Sequence, residues 1–299
     1  MTTLTDPAAS SSPGPATRRN SFWRHFRYVL ASNPVTALSF ALFGMFVLAA
    51  LFGPWLVPYD PLATSGDRAL QPPSWSHWFG TDHLGRDVFS RVVIATRLDL
   101  SISVAAVALS FLAGSVLGSL AGYYGGWTDR IVGRCLDTIM AFPLFVLAMG
   151  IVAAAGNTIE NVIYATAIIN LPFYARMARA EVNIRREAGF VQAAKLSGNS
   201  DLRVLAVHIF PNALPPMMVQ ISLNLGWAIL NAAGLSFIGL GVRPPTPEWG
   251  IMVAEGANFI MSGEWWLALF PGAALMLAVF TFNLMGDGLR DLVDPQRRT

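Results

Sequence analysis

The run HWFGTDHLGRDVFSRVV, residues 77–93, gathers His77, Asp82, His83, Arg86, Asp87 and Arg91 in a chain that is otherwise poor in charge. Two nearby histidines raise the question of a metal pair. Zinc sites draw three or four ligands, and no cysteine or third histidine lies close by, so a metal is not expected here. Asp87 and Arg91 stand at i and i+4, the spacing of an ion pair along one helical face. Val88, Val92 and Ala95 fall where that helix would turn inward. A second group centres on Asp137, with Arg134 at i−3 and Arg130 at i−7 on the same face. A carboxylate within an apolar run needs a partner, so an ion pair locking that helix end is expected. A role in a translocation path is the alternative. A proton relay is disfavoured, because no other acid is expected well inside an apolar run. The third group lies in VQAAKLSGNSDLRVLAVHIFPN, residues 191–212, which carries Lys195, Asp201, Arg203 and His208.

None of these groups is a motor or a hydrolase. A phosphate-binding loop of the G-x-x-x-x-G-K-[ST] type needs a lysine, and the one lysine, Lys195, sits between Ala194 and Leu196. No H-E-x-x-H or comparable nucleophile set is present. The arginines are scattered rather than striped with aromatics, which argues against a nucleic-acid partner.

The elements that must position these residues follow from composition. The chain has 54% hydrophobic and 13% charged residues, against about 25% charge in ordinary soluble domains, and a mean hydropathy of +0.50. That marks an integral membrane protein in contact with lipid. Residues 28–59, 100–128, 138–159, 204–242 and 265–286 carry no Asp, Glu, Lys or Arg. A helix needs roughly 20 apolar residues to cross the hydrocarbon layer. Six spans are therefore expected, at 35–57, 99–122, 131–153, 160–178, 214–236 and 266–286, the fourth being the weakest. Six spans put both termini on one side. With the N-terminus inside, 15 of the 20 Lys and Arg residues fall on inner segments and 5 outside, so both termini are expected in the cytoplasm. Residues 1–22 read as a disordered tail, 23–75 as an N-terminal segment with the first span, 96–287 as the core, and 288–299 as a second tail. The lone Cys135 permits no internal disulfide.

In this frame residues 180–212 lie at the inner face. Glu187 to Ser197 has helix-forming composition, and Gly198 is a natural stop because glycine enters the left-handed region without strain. Ser200 and Asp201 resemble an N-cap and an acidic first turn. Leu202, Leu205, Ala206 and Ile209 fall at i, i+3, i+4 and i+7, one apolar stripe, and Pro211 is expected to end the helix. The result is two short helices about an elbow: either an amphipathic loop resting on the bilayer or a docking element. Elsewhere, Gly114, Gly118 and Gly122 form a small-residue face for close helix packing, within the subunit or against another. Pro244, Pro245 and Pro247 stiffen an external loop. Trp249, Trp265 and Trp266 suit the interfacial belt. Phe173, Met217 and Asn224 could face a substrate.

The 191–212 stretch resembles the EAA loop of ABC importer permeases, patterned E-A-A-x3-G-x9-I-x-L-P. Gln192, Ala193, Ala194, Gly198, His208, Phe210 and Pro211 occupy its seven positions, and Gln192, His208 and Phe210 depart from it. Residues 77–93 resemble the FGTDxxGRDVxSR block of C-type permeases for dipeptides, oligopeptides and nickel. LSFIGLGVRPPTPEWGIM (235–252) and FNLMGDGLRDLVDP (282–295) resemble the later blocks of the same subfamily. The resemblance covers residues 23–295. It implies an all-α type I importer fold (MetI-like) in a bacterial inner membrane. It also implies a homologous second permease, two cytoplasmic ATPase subunits that bind ATP-Mg, and an external substrate-binding protein. This chain would bind no cofactor or metal and would not itself be an enzyme. Gln192, Ala193, Ala194, Gly198, Asp201, His208 and Pro211 would couple to the ATPases. Asp82, Gly85, Arg86, Asp87 and Arg91 would shape the external mouth. The resemblance implies dipeptides, oligopeptides, glutathione-like peptides or nickel as cargo, with peptides favoured. The principal rival, a gradient-driven secondary transporter, needs buried acids or broken-helix ion sites near mid-membrane.

Overall fold

The computed structural model describes residues 33–293. The tail at 1–22 lies outside the described residues, as do Arg18, Arg19, Arg24, Arg27, Arg297 and Arg298, on which part of the orientation argument rests. Among the described residues the regular structure is helical, with one isolated bridge between Thr81 and Asp87.

Among the described residues nine helices carry the architecture. Helix α1 is Pro34–Leu56. Asn33 caps it, its side chain accepting from the amides of Val35 and Thr36, and Pro34 opens it at a position that has no amide to satisfy. Helix α2, Val88–Tyr124, has 37 residues, about 55 Å at 1.5 Å per residue. Helices α3, Gly126–Met140, and α4, Leu144–Ala155, follow, then α5, Ile159–Arg185, and the short α6, Gly189–Leu196. Helix α7 runs Asp201–Phe237, α8 is Trp249–Ala257, and α9 is Trp266–Val293.

Four of the expected spans correspond to α1, α2, α7 and α9, each long and apolar enough to cross a membrane. The fourth expected span, 160–178, corresponds to α5, whose 27 residues suffice in length. Its composition is more polar because Thr166, Asn170 and Tyr174 are buried inside the bundle rather than turned to lipid. The third expected span, 131–153, is not one helix. It is α3 and α4, bent by 88° at a break before Leu144. Pro143 causes the break: its ring cannot continue the preceding turn, and it pushes Phe142 away from helical backbone angles.

Helices α2 and α5 form the spine. Gly114, Gly118 and Gly122 lie directly against the α5 backbone at Leu171, Ala175 and Arg179. The glycine face thus packs within the subunit. Around it, α7 and α9 pair through Leu225, Ile229, Ala278 and Phe282, and α1 adds a narrow stripe that includes Phe46. Other side chains of α1, among them Leu48, Leu51 and Trp55, stand exposed, as a lipid-facing helix requires. Trp249 departs from the interfacial role expected of it. It is fully buried, its indole N–H donates to the Val92 carbonyl at 3.0 Å, and its ring meets Phe46 edge-on.

Candidate functional site at the two ends of one helix

The two segments singled out by their residue types sit at opposite ends of α2. At its first turn is the 77–93 block. Asp87 caps the helix, one carboxylate oxygen accepting from the amide and hydroxyl of Ser90 at 2.8 and 2.7 Å. Its other oxygen meets His77 Nδ1 at 2.8 Å. The ion pair expected between Asp87 and Arg91 therefore does not form, because capping orients the Asp87 carboxylate toward the helix start. Arg91 instead reaches Asp82 at 3.7 Å and Glu255 at 3.9 Å, and donates to the Pro61 and Pro245 carbonyls. Arg86 pairs with Asp82 at 2.6 Å and approaches Glu255 at 3.5 Å. Two guanidinium groups thus face two carboxylates, with no net charge. Arg86 and Arg91 are almost wholly buried. Gly85 has φ +73°, and a side chain there would run into the Ser65 backbone. The block is a neutral knot of buried charge that fastens the 57–87 loop to α2 and α8. His83 does not join His77. It stacks on Phe259, and no cluster of three metal-ligating side chains occurs among the described residues.

Two acids escaped the sequence reading. Asp99 and Glu248 are both buried. Glu248 caps α8 by accepting from the amides of Gly250 and Ile251 at 2.9 and 2.8 Å, and Asp99 accepts from the amide of Trp249 at 3.2 Å. Burial pushes the Glu248 carboxyl above its usual range. Asp99 stands inside α2, so Asp137 is not alone among acids in the span-forming helices, whereas Glu248 lies outside them. The signal was present in the sequence: Glu248 precedes Trp249-Gly250 at a helix start, and Asp99 borders a charge-free run.

Asp137 also differs from expectation. Its partner is Arg176 of α5 at 2.8 Å rather than Arg134, and both side chains are about half exposed. The α3–α4 bend explains the change, since it brings α3 beside α5 and offers a better-placed cation than the one on its own helix. Arg179 and Asp129 repeat the α3–α5 link at 2.6 Å.

At the far end of α2 lies the 187–212 loop. Gly198 has φ +80° and forms the elbow between α6 and α7. Asn199 closes it, its amide and side chain both donating to the Ala194 carbonyl. Ala194 and Val191 face inward, whereas Gln192 and Ala193 are exposed. Ser200 stands at the N-cap of α7 but makes no side-chain capping bond. Pro211 does not end the second arm. Within α7 the chain passes through a π-helical stretch, Val204–Ile209, and continues as α-helix, with Pro211 in the first turn after it. The wider winding also replaces the expected stripe: Val204, Leu205 and Ile209 are buried, and Leu202 and Ala206 are exposed. A side chain five positions on faces the same way in a π turn, which pairs 204 with 209. The His208 carbonyl accepts from Asn212. Of the three residues considered for facing a substrate, Met217 and Asn224 are buried and Phe173 is partly exposed.

The helical order, the loop and the fastened block meet two sequence-family matches. Residues 114–299 match the model of the binding-protein-dependent transport system inner membrane component, and residues 21–73 match the N-terminal TM domain of oligopeptide transport permease C. The chain belongs to this family of inner-membrane transport components. The permease is 42% identical to a probable D,D-dipeptide transport system permease protein of Escherichia coli K12, over 98% of this chain and 97% of the relative. It is 42% identical to a dipeptide transport system permease protein of Alkalihalophilus pseudofirmus, over 93% and 91%. It is 41% identical to a glutathione transport system permease protein of Escherichia coli O6:K15:H31, over 93% and 90%. Among solved structures, the methionine ABC transporter in an inward-facing conformation shares the permease's fold, with a TM-score of 0.56 and 16% identity over 68% of this chain and 96% of that one. The permease is thus an ABC importer component of MetI-like fold, not a gradient-driven transporter.

Proposed function

We propose that this permease imports dipeptides or related short peptides, received from an external binding protein and moved by ATP hydrolysis on separate subunits. The names of the relatives support the cargo class. The observation that supports the coupling site is the exposed surface of the loop. Ile184, Phe190, Leu196, Leu202 and Val207 stand 46–90% exposed around Gln192 and Ala193. The arginine distribution supports a cytoplasmic place for that end, where large apolar side chains call for a protein partner. ATPase subunits seated there would move the two arms about Gly198. A homologous second permease would complete the pathway. ATP-Mg would bind only to the ATPases, and this chain would supply no catalytic group. Nucleotide shifts the pathway only insofar as it binds the inward- and outward-facing states unequally.

The buried knot of Asp82, Arg86 and Arg91 would hold the outer loop in shape for the binding protein, acting through backbone position rather than through exposed charge. Both termini would lie in the cytoplasm.

The test is reconstitution of the permease with its partner permease, ATPases and binding protein in proteoliposomes. Ala193→Arg on the exposed arm and Gly198→Pro at the elbow are compared with the unmodified chain. Loss of both radiolabelled Ala-Ala uptake and binding-protein-stimulated ATP hydrolysis, in normally assembled complexes, is the expected result. Unchanged uptake and stimulation in both variants would remove the loop from the coupling path.

A further inference from the structure

Resting on the reading of 187–212 as the coupling loop, we propose that Tyr123 is the pin through which both arms of that loop act on α2. Three independent contacts meet on this one side chain. The Tyr123 hydroxyl donates to Asp201 Oδ1 at 2.5 Å, a bond that joins residues 78 apart in sequence. Asp201 opens the second arm. The Lys195 ammonium lies 5.1 Å from the Tyr123 ring centroid. Lys195 is the one lysine of the chain, and it sits at the end of the first arm. The ring is buried among Val191 and Ala194 of the first arm and Val204 and Ile209 of the second.

One aromatic residue at the last turn of α2 thus touches the arm on each side of the Gly198 elbow. The loop's backbone is continuous with α5 through residues 186–188 and with α7, but only docks on α2. Movement of the arms therefore passes to α5 and α7 through covalent chain and to α2 through this contact. Gly114, Gly118 and Gly122 set the α2 and α5 backbones in direct contact, so the pin makes α2 follow the same movement with little slack. A hydroxyl–carboxylate bond suits this role: it is directional, stronger than a neutral hydrogen bond, and able to break and reform without unfolding either helix. The cation–π contact holds the ring while the first arm turns.

Tyr123 is a positioning residue, so its test must separate coupling from folding. Tyr123→Phe keeps the ring, the apolar packing and the Lys195 contact, and deletes only the hydroxyl. In the full reconstituted complex, Ala-Ala imported per ATP hydrolysed should fall about tenfold, with complex recovered in normal yield. Asp201→Ala should fall equally. The double variant should fall no further than either single one, as two ends of one bond require. Asp201→Asn, which keeps an acceptor oxygen, should recover most of the ratio. A ratio for Tyr123→Phe within twofold of the unmodified complex overturns the proposal. If Ala193→Arg and Gly198→Pro uncouple while Tyr123→Phe does not, the pin is wrong and the loop reading stands. If all three remain coupled, the loop reading itself is wrong, and the pin falls with it.

Discussion

Gly118 is the position where the spine of the permease is least able to yield. A Cβ built there overlaps the Ala175 carbonyl oxygen and stands 2.8 Å from Ala175 C and 2.9 Å from Ala175 Cα. Comfortable carbon–carbon contacts are about 3.5–4.0 Å, and the carbonyl oxygen is tighter still, so α2 and α5 must part by roughly 1 Å or more along their contact. The obstructing atoms are backbone, with no rotamer to absorb the change. A radial gap of about 0.5–1 Å forfeits a quarter to a half of each dispersion contact along the seam. Overpacking of this kind costs about 1–3 kcal/mol. Against it stands the helical preference of alanine over glycine, about 1 kcal/mol. The net expectation for Gly118→Ala is a loss of about 0–2 kcal/mol, read as a fall of up to roughly 8 °C in Tm for a chain of this size. The assay is thermal unfolding in a mild detergent, with Gly133→Ala and Gly150→Ala as internal controls. Both controls sit in helices, with nothing within 4 Å of a new Cβ. They should gain up to about 1 kcal/mol from reduced unfolded-state freedom. A Tm for Gly118→Ala at or above those of the controls would falsify the claim that backbone contact at the glycine seam holds α2 to α5.

Three further outcomes follow from the charge arrangement. Asp82→Ala should leave Arg86 and Arg91 buried with Glu255 as their remaining carboxylate, at a cost of about 3–5 kcal/mol. It should sharply reduce folded protein in membranes, measured by fluorescence-detected size exclusion. Glu248→Ala removes the acceptor for two α8 amides inside the protein and should cost about 2–4 kcal/mol. Glu248→Gln, which keeps one acceptor oxygen, should lose about half of that; equal thermal losses for the two would show that the cap does not matter. Asp137→Asn should change stability by less than about 1 kcal/mol, since both partners of its ion pair are half exposed. A loss above 3 kcal/mol in thermal unfolding would place that carboxylate in a buried environment instead.

Much of this was legible in the chain itself. The charge-free runs located α1, α2, α7 and α9, because a stretch that must sit in hydrocarbon cannot carry unpaired charge, and that constraint is local. Gly198 as an elbow was legible for the same reason: a positive φ is a property of one residue. The glycine repeat announced a close helix contact but not its partner, since α5 becomes the neighbour of α2 only in the folded bundle. Tertiary structure also chose the partners of the charges. Spacing along one helix offered Arg91 to Asp87 and Arg134 to Asp137. The folded chain gave Asp87 to its own helix N-terminus and His77, and joined Arg91 to Asp82 and Glu255. It joined Asp137 to Arg176 of another helix. An exposed i,i+4 pair is worth only a few tenths of a kcal/mol, so a contact that satisfies an orphan amide, or a better-placed cation on another helix, outcompetes it. The π turn through 204–209 and the convergence of Lys195 and Asp201 on Tyr123 are likewise long-range results. They depend on how the loop docks against the end of α2, which no window of sequence contains.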